Sequence, residues 1–133
     1  MLFRSINRAD LVKKRSLDFL ERLVRLEKAS GKEGMEAQKE FWRGLRSFNS
    51  LTDPAYAQEV LEAVLVLDKK RAGEGKESLL LNIFNKSNSK YDADIEDMIN
   101  TFGRSTDPTI ITYLKDLKKA REENAKFMER IQK

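Results

Sequence analysis

Neither cysteine nor histidine occurs in the 133 residues of this chain. Without cysteine there is no disulfide framework and no thiol chemistry. Without histidine the chain lacks the usual general base near neutral pH and the commonest metal ligand. The two absences together exclude structural zinc sites and nucleophilic centres of the Ser-His or Cys-His kind. Carboxylate chemistry with magnesium or protons is what remains, and no spaced constellation of Asp and Glu points to it. Proline (two) and glycine (six) are scarce, so few positions oblige the backbone to break. No apolar run approaches the roughly 18 residues of a membrane span. The opening "MLFRSINRADLVKKRS" lacks the apolar segment and small-residue cleavage site of a secretory signal. These absences lead to the expectation of a cytoplasmic protein with no membrane association, no cofactor, no metal and no catalytic residues.

What is present points to helices. Charged residues make up 36% and apolar residues 40%, too apolar for a disordered chain and highly charged for a globular one. Solvated helix faces reconcile the two. The first helix is expected to start near Asn7 or Asp10, either of which can accept from free amide N–H groups. Its apolar positions are Leu11, Val12, Leu17, Phe19, Leu20, Leu23, Val24 and Leu26, an arc of about half the helix. Gly31 is expected to stop it. A second helix spans Glu33 to Phe48, with Phe41, Leu45 and Phe48 on one face. Trp42 lies just off that stripe. It suits a place at the edge of the core or, as the sharper alternative, an anchor for a protein partner.

Two "TDP" tripeptides, at 52–54 and 106–108, mark helix starts. The Asp can cap, and Pro fits the first helical position because its missing N–H would have no partner there. The third helix therefore begins at Pro54 and leads into "VLVLDKKRAGEGKES", Val64 to Ser78. This stretch has a superficial likeness to a strand feeding a phosphate loop. A Walker loop needs Gly five residues before its Gly-Lys and a hydroxyl residue after it. Lys70 and Glu77 occupy those two positions. About 18 residues without a break from a proline cap suit a helix, not a strand. The pattern predicts a helix that is apolar almost all round and central to a bundle. It should end in a glycine cap at Gly73, with Lys69, Lys70 and Arg71 complementing the helix dipole.

A short fourth helix is expected from Glu77 to Asn85, with Leu80, Ile83 and Phe84 inward. "NKSNSK", 85–90, reads as a flexible polar linker. A fifth helix, Ala93 to Phe102, would present Tyr91, Ile95, Met98 and Phe102 and end in a left-handed Gly103. "DADIED" fails as a calcium loop, because Asp97 and Gly103 stand where glycine and glutamate are required. The last helix, 108–131, carries Ile110, Leu114, Leu117, Arg121, Asn124, Met128 and Ile131 at alternating spacings of four and three. That is a heptad seam with polar residues at two central positions. Over about 24 residues it would run roughly 36 Å, enough to overhang a compact bundle.

Charge is unevenly spread. Residues 1–32 carry nine Lys and Arg against four Asp and Glu, and 110–133 carry seven against four. Residues 92–109 carry one against five. Such segregation suits head-to-tail association of identical subunits. The basic first helix could instead neutralise phosphates, although Asp18–Arg22 and Glu21–Arg25 at i, i+4 offset one another.

The sequence thus predicts an all-α, single-domain bundle of five to six helices over residues 1–133, with a long C-terminal amphipathic helix. Its expected role is that of a non-catalytic interaction module (an adaptor, assembly or regulatory subunit) with a protein partner or a second copy of itself. The expected interface is Trp42, Leu114, Leu117, Arg121, Asn124, Met128 and Ile131. The alternative is nucleic-acid binding through Lys13, Lys14, Arg15, Arg22, Arg25, Lys118, Lys119 and Arg121.

Overall fold

The computed structural model describes residues 8–29, 34–51, 54–75 and 77–132. Among them every regular element is a helix: α1 Arg8–Ala29, α2 Met35–Leu51, α3 Pro54–Gly73, α4 Leu79–Phe102 and α5 Pro108–Gln132. The helices pack as a bundle in which α1 lies on α2 and α3, α2 touches α3 and α4, and α4 runs along α5. No helix of the described residues is long and apolar enough to cross a membrane. Asn7, Gly31, Asp53 and Lys76, which the sequence offered as caps or loop residues, lie outside the described residues.

The core is aromatic at its centre. Phe41 of α2 stacks on Phe19 of α1 at 5.9 Å and meets Phe84 of α4 edge-on at 5.3 Å. Phe127 of α5 joins at 4.8 Å from Phe41. Leu23, Val60, Val64, Leu80 and Ile83 close the cluster from α1, α3 and α4. Burying each of these side chains contributes on the order of 1.5–3 kcal/mol. Helices α1 and α2 come close because Gly44 has no side chain. A Cβ there would sit 2.6 Å from the Phe19 ring.

The α3 segment is helical throughout, as the proline cap and its length require. Tyr56, Ala57, Val60, Leu61, Val64 and Leu65 are buried, but Val66 is 64% exposed. The helix is thus apolar all round in composition and buried on one broad side. It ends at Gly73, and Gly75, not Gly73, takes the left-handed turn at φ +84°. Buried Asp68, near the end of α3, then reaches over to start α4. It accepts from the Ser78 hydroxyl and from the Leu79 N–H at 2.8 Å, while Ser78 Oγ accepts from the Leu81 N–H. The stretch that resembled a phosphate loop is a helix end and a cap for its successor.

The linker expected at 85–90 does not exist. Residues 79–102 form one helix of 24 residues, so among the described residues there are five helices where five to six were expected. "NKSNSK" contains no Gly or Pro, and several of its side chains find partners within the helix or on α1 and α5, although the buried Asn88 Oδ1 is left without one. Ser87 Oγ donates to the Phe84 carbonyl at 3.2 Å, Asn88 donates to the Met128 sulfur, and Lys86 pairs with Glu27 of α1. Gly103 caps α4, but with right-handed geometry (φ −60°) rather than left-handed. The second "TDP" works as its chemistry predicts. Asp107 Oδ1 accepts from the Thr109 N–H at 2.9 Å and Pro108 opens α5.

Candidate functional site

Three surfaces follow from this packing. The first is the free end of the α4–α5 hairpin. Every buried residue of α4 lies at or before Tyr91, and every buried residue of α5 lies at or after Asn124. Between 92 and 123 nothing is buried. Roughly 16 Å of α4, at 1.5 Å per residue, thus continues beyond the core with only α5 beside it. Ile95, Met98, Ile110, Leu114 and Leu117 are half-buried along the hairpin. At its end Ile99, Phe102, Ile111 and Tyr113 stand between 40% and 52% exposed.

The second surface is the cleft between α1 and α2, about 470 Å³, lined by Arg15, Arg22, Arg25 and Arg43 with Asp18, Glu21 and Glu40. Two of the four arginines share one carboxylate. Glu40 accepts from Arg22 at 2.8 Å and from Arg43 at 3.0 Å.

The third is a smaller cleft of about 290 Å³ where α2, α4 and α5 meet, lined by Gln38, Lys39, Trp42, Arg43, Arg46, Tyr91, Ala120 and Asn124. Its floor is a chain of side-chain hydrogen bonds. Trp42 Nε1 donates to Asn124 Oδ1 at 2.9 Å, Asn124 Nδ2 to Gln38 Oε1 at 3.2 Å, and Gln38 Nε2 to the Tyr91 hydroxyl oxygen at 3.3 Å. Gln38 and Asn124 are 2% and 1% exposed. An indole N–H can only donate, so it turns the Asn124 carbonyl toward α2 and thereby orients every amide after it. The Tyr91 pKa is raised, chiefly by burial; the Gln38 bond opposes this, and the charges of Asp94 and Glu123 add to it. The phenol is therefore a neutral donor at physiological pH.

The sequence-derived residues divide among these places. Of the expected interface, Asn124 and Ile131 are buried within the chain's own core, and Met128 packs against it. The C-terminal half of the seam is consumed internally, because α4 and the core lie against it. Arg121 pairs with Asp92 of α4 at 2.8 Å. Trp42 is half-buried in the aromatic cluster and bonded to Asn124. Leu114 and Leu117 sit on the projecting hairpin. Of the basic set, Arg15, Arg22 and Arg25 share the α1–α2 cleft. Lys13 borders a groove between α1 and α3, Lys14 is exposed, and Lys118 and Lys119 are exposed on the hairpin. Lys118 and Lys119 lie on the projecting part of α5 and line no part of the cleft that holds Arg15, Arg22 and Arg25.

Sequence reasoning missed Gln38, Tyr91 and the α2 cations Lys39, Arg43 and Arg46 as site residues. Gln38 stands three residues before Phe41 and four before Trp42, which puts it on the inward stripe. A polar residue at such a position was the available signal. Among the described residues no group of three or more Asp and Glu is placed to hold a metal ion.

The class of protein so defined is an all-α bundle with a projecting helical hairpin. Beyond that class the comparisons add no relative: no family model, curated protein or solved structure matches the chain.

Proposed function

We propose that this chain is a non-catalytic helical interaction module, an adaptor, assembly or regulatory subunit, whose contact element is the free end of the α4–α5 hairpin. The observation that carries the reading is the exposure of Ile99, Phe102, Ile111 and Tyr113 together at the end of an arm that adds nothing to the core. Large apolar side chains on a projecting element have a use when another surface covers them. The partner is a protein surface or a second copy of the chain. The acidic start of this hairpin segment, Asp92 to Asp97, and the basic α1 favour head-to-tail contact between copies. The lack of cysteine fits work in the reducing cytoplasm.

Light scattering over a wide concentration range, with affinity capture from the native cell, tests this proposal. Phe102→Lys combined with Ile99→Lys, both exposed and remote from the core, should abolish self-association or partner capture without lowering thermal stability. Identical behaviour of the variant and the wild type in both assays would remove the hairpin as the contact element.

A second reading, nucleic-acid binding, draws support from the convergence of Arg15, Arg22, Arg25 and Arg43 on one cleft. Glu40, and a cleft lining that does not include Lys118 or Lys119, weigh against it. Gel shifts with duplex and single-stranded nucleic acid at two salt concentrations decide it, since phosphate contacts weaken steeply with salt. No shift at low salt ends this reading.

A further inference from the structure

The α2–α4–α5 cleft has features of a built anion site that neither the hairpin nor the α1–α2 groove explains. Hydrogen-bond polarity is the first. Because the indole of Trp42 can only donate, the sequence Trp42 to Asn124 to Gln38 to Tyr91 runs in one direction. The Tyr91 oxygen accepts at the end of that run, which leaves its own O–H as a donor with no acceptor among the described residues. This hydroxyl belongs to a buried side chain on the cleft wall. A buried donor is costly unless something accepts from it.

Charge is the second feature. The chain has nearly as many acids as bases, yet among the described residues the charged ones lining this cleft are Lys39, Arg43 and Arg46. Arg43 shares its charge with Glu40, and Arg46 too is engaged elsewhere, which leaves Lys39 as the uncommitted cation of the rim among the described residues. Of the acids near Tyr91, Asp94 is paired with Lys90 at 3.1 Å and Glu123 is exposed on α5. Shape is the third. Ala120 is the small residue on the α5 side, and the volume of about 290 Å³ lies at the small end of ligand pockets.

We propose that this cleft binds a small phosphate-bearing anion, which accepts a hydrogen bond from Tyr91 and is balanced by Lys39, Arg43 and Arg46. A free phosphate compound and a terminal phosphate on an oligonucleotide share this chemistry. The proposal is independent of the hairpin reading, since no residue is common to both sites.

Trp42 is the chain's only tryptophan and is bonded into the cleft floor, so its fluorescence and its single indole N–H resonance report directly on occupancy. Inorganic phosphate, pyrophosphate and a 5′-phosphorylated trinucleotide are titrated at constant ionic strength, with chloride as the control. A saturable change in the indole signal with at least one of them, absent with chloride, is expected. Tyr91→Phe, which keeps the ring and removes the donor, should weaken binding roughly tenfold or more. Lys39→Gln, on the exposed rim where folding is not at risk, should weaken it about three- to tenfold and flatten its salt dependence. Whether phosphate and pyrophosphate or the trinucleotide binds tighter identifies the source of the anion. The proposal is overturned if no probe gives a saturable response above the chloride control. It is equally overturned if Lys39→Gln binds as tightly as wild type.

Discussion

Replacing Asn124 with Leu tests whether the polar floor stabilises the bundle. The side chain is 1% exposed and makes two hydrogen bonds, accepting from Trp42 and donating to Gln38. Leucine fills a similar volume and removes both. It leaves the Gln38 carbonyl without a donor in a fully buried place and the Trp42 N–H without an acceptor in a half-buried one. An orphaned buried polar group costs about 1–3 kcal/mol, and the partly wet indole belongs at the low end, so the expected loss is about 2–4 kcal/mol. At about 2.1 cal/mol/K per residue the unfolding entropy of this chain is roughly 0.28 kcal/mol/K, so Tm should fall by about 7–14 °C. Urea unfolding followed by circular dichroism and by Trp42 fluorescence gives the free energy, and coincidence of the two curves checks two-state behaviour. Adding Gln38→Leu removes the stranded carbonyl. The double variant should therefore lose about 1–2 kcal/mol less than the two single losses added together. Strict additivity, or a single-variant loss under about 0.5 kcal/mol, would refute the view that these four side chains act as a connected unit.

Three other outcomes follow from the same geometry. Gly44→Ala drives a methyl to within 2.6 Å of the Phe19 ring and should cost about 1–3 kcal/mol, whereas Gly73→Ala, with nothing within 4 Å, should stay within about 0.5 kcal/mol of wild type; equal urea midpoints for the two would contradict the close α1–α2 contact. Asp68→Ala removes the acceptor of the buried Leu79 N–H and of Ser78, and should cost about 2–3 kcal/mol; hydrogen exchange at the start of α4 should rise with it, and unchanged exchange there would argue against the cap. The raised pKa of Tyr91 means that the folded state holds the phenolic proton after the unfolded state has released it. Stability from this group is therefore full below the unfolded tyrosine pKa of about 10 and declines as pH rises above it. Urea unfolding from pH 8 to 11 should show a steeper decline in wild type than in Tyr91→Phe, and parallel slopes would count against burial as the cause.

The elements whose signals are local were legible. Pro54 and Asp107–Pro108 open helices where capping chemistry says they should, and α3 is a helix because nothing in twenty residues interrupts it. Leu80, Ile83, Phe84 and Phe41 are buried as their spacing predicts. The failure at 85–90 has the opposite origin. Asn and Ser compete with helix hydrogen bonds only when their side chains have no better partner. In α4 the Phe84 carbonyl and the Met128 sulfur supply one, and Met128 is forty residues distant in sequence. In α1 the inward stripe runs through Ser16, fully buried with its hydroxyl on the Lys13 carbonyl, while Leu17 turns to solvent. Hydropathy ranks these two residues the other way round.

The candidate sites show the same division. Arg15, Arg22 and Arg25 could be read as one basic face of α1, because helical spacing alone brings them together. Their convergence with Arg43, and its partial cancellation by Glu40, needed α2 laid alongside. Asn124 was visible as a polar residue in an apolar seam, but its bonds reach 82 and 86 residues back along the chain.

By itself the sequence determined the helical class, the start of each proline-capped helix and the exclusion of thiol and imidazole chemistry, since these depend on residue type and near-neighbour spacing. Only the tertiary structure decided which polar residues are buried, which half of α5 belongs to the core, and which apolar side chains stand at the end of the hairpin. The physical reason is that a helix offers several faces of comparable polarity. Which face is covered depends on neighbours brought in from distant parts of the chain.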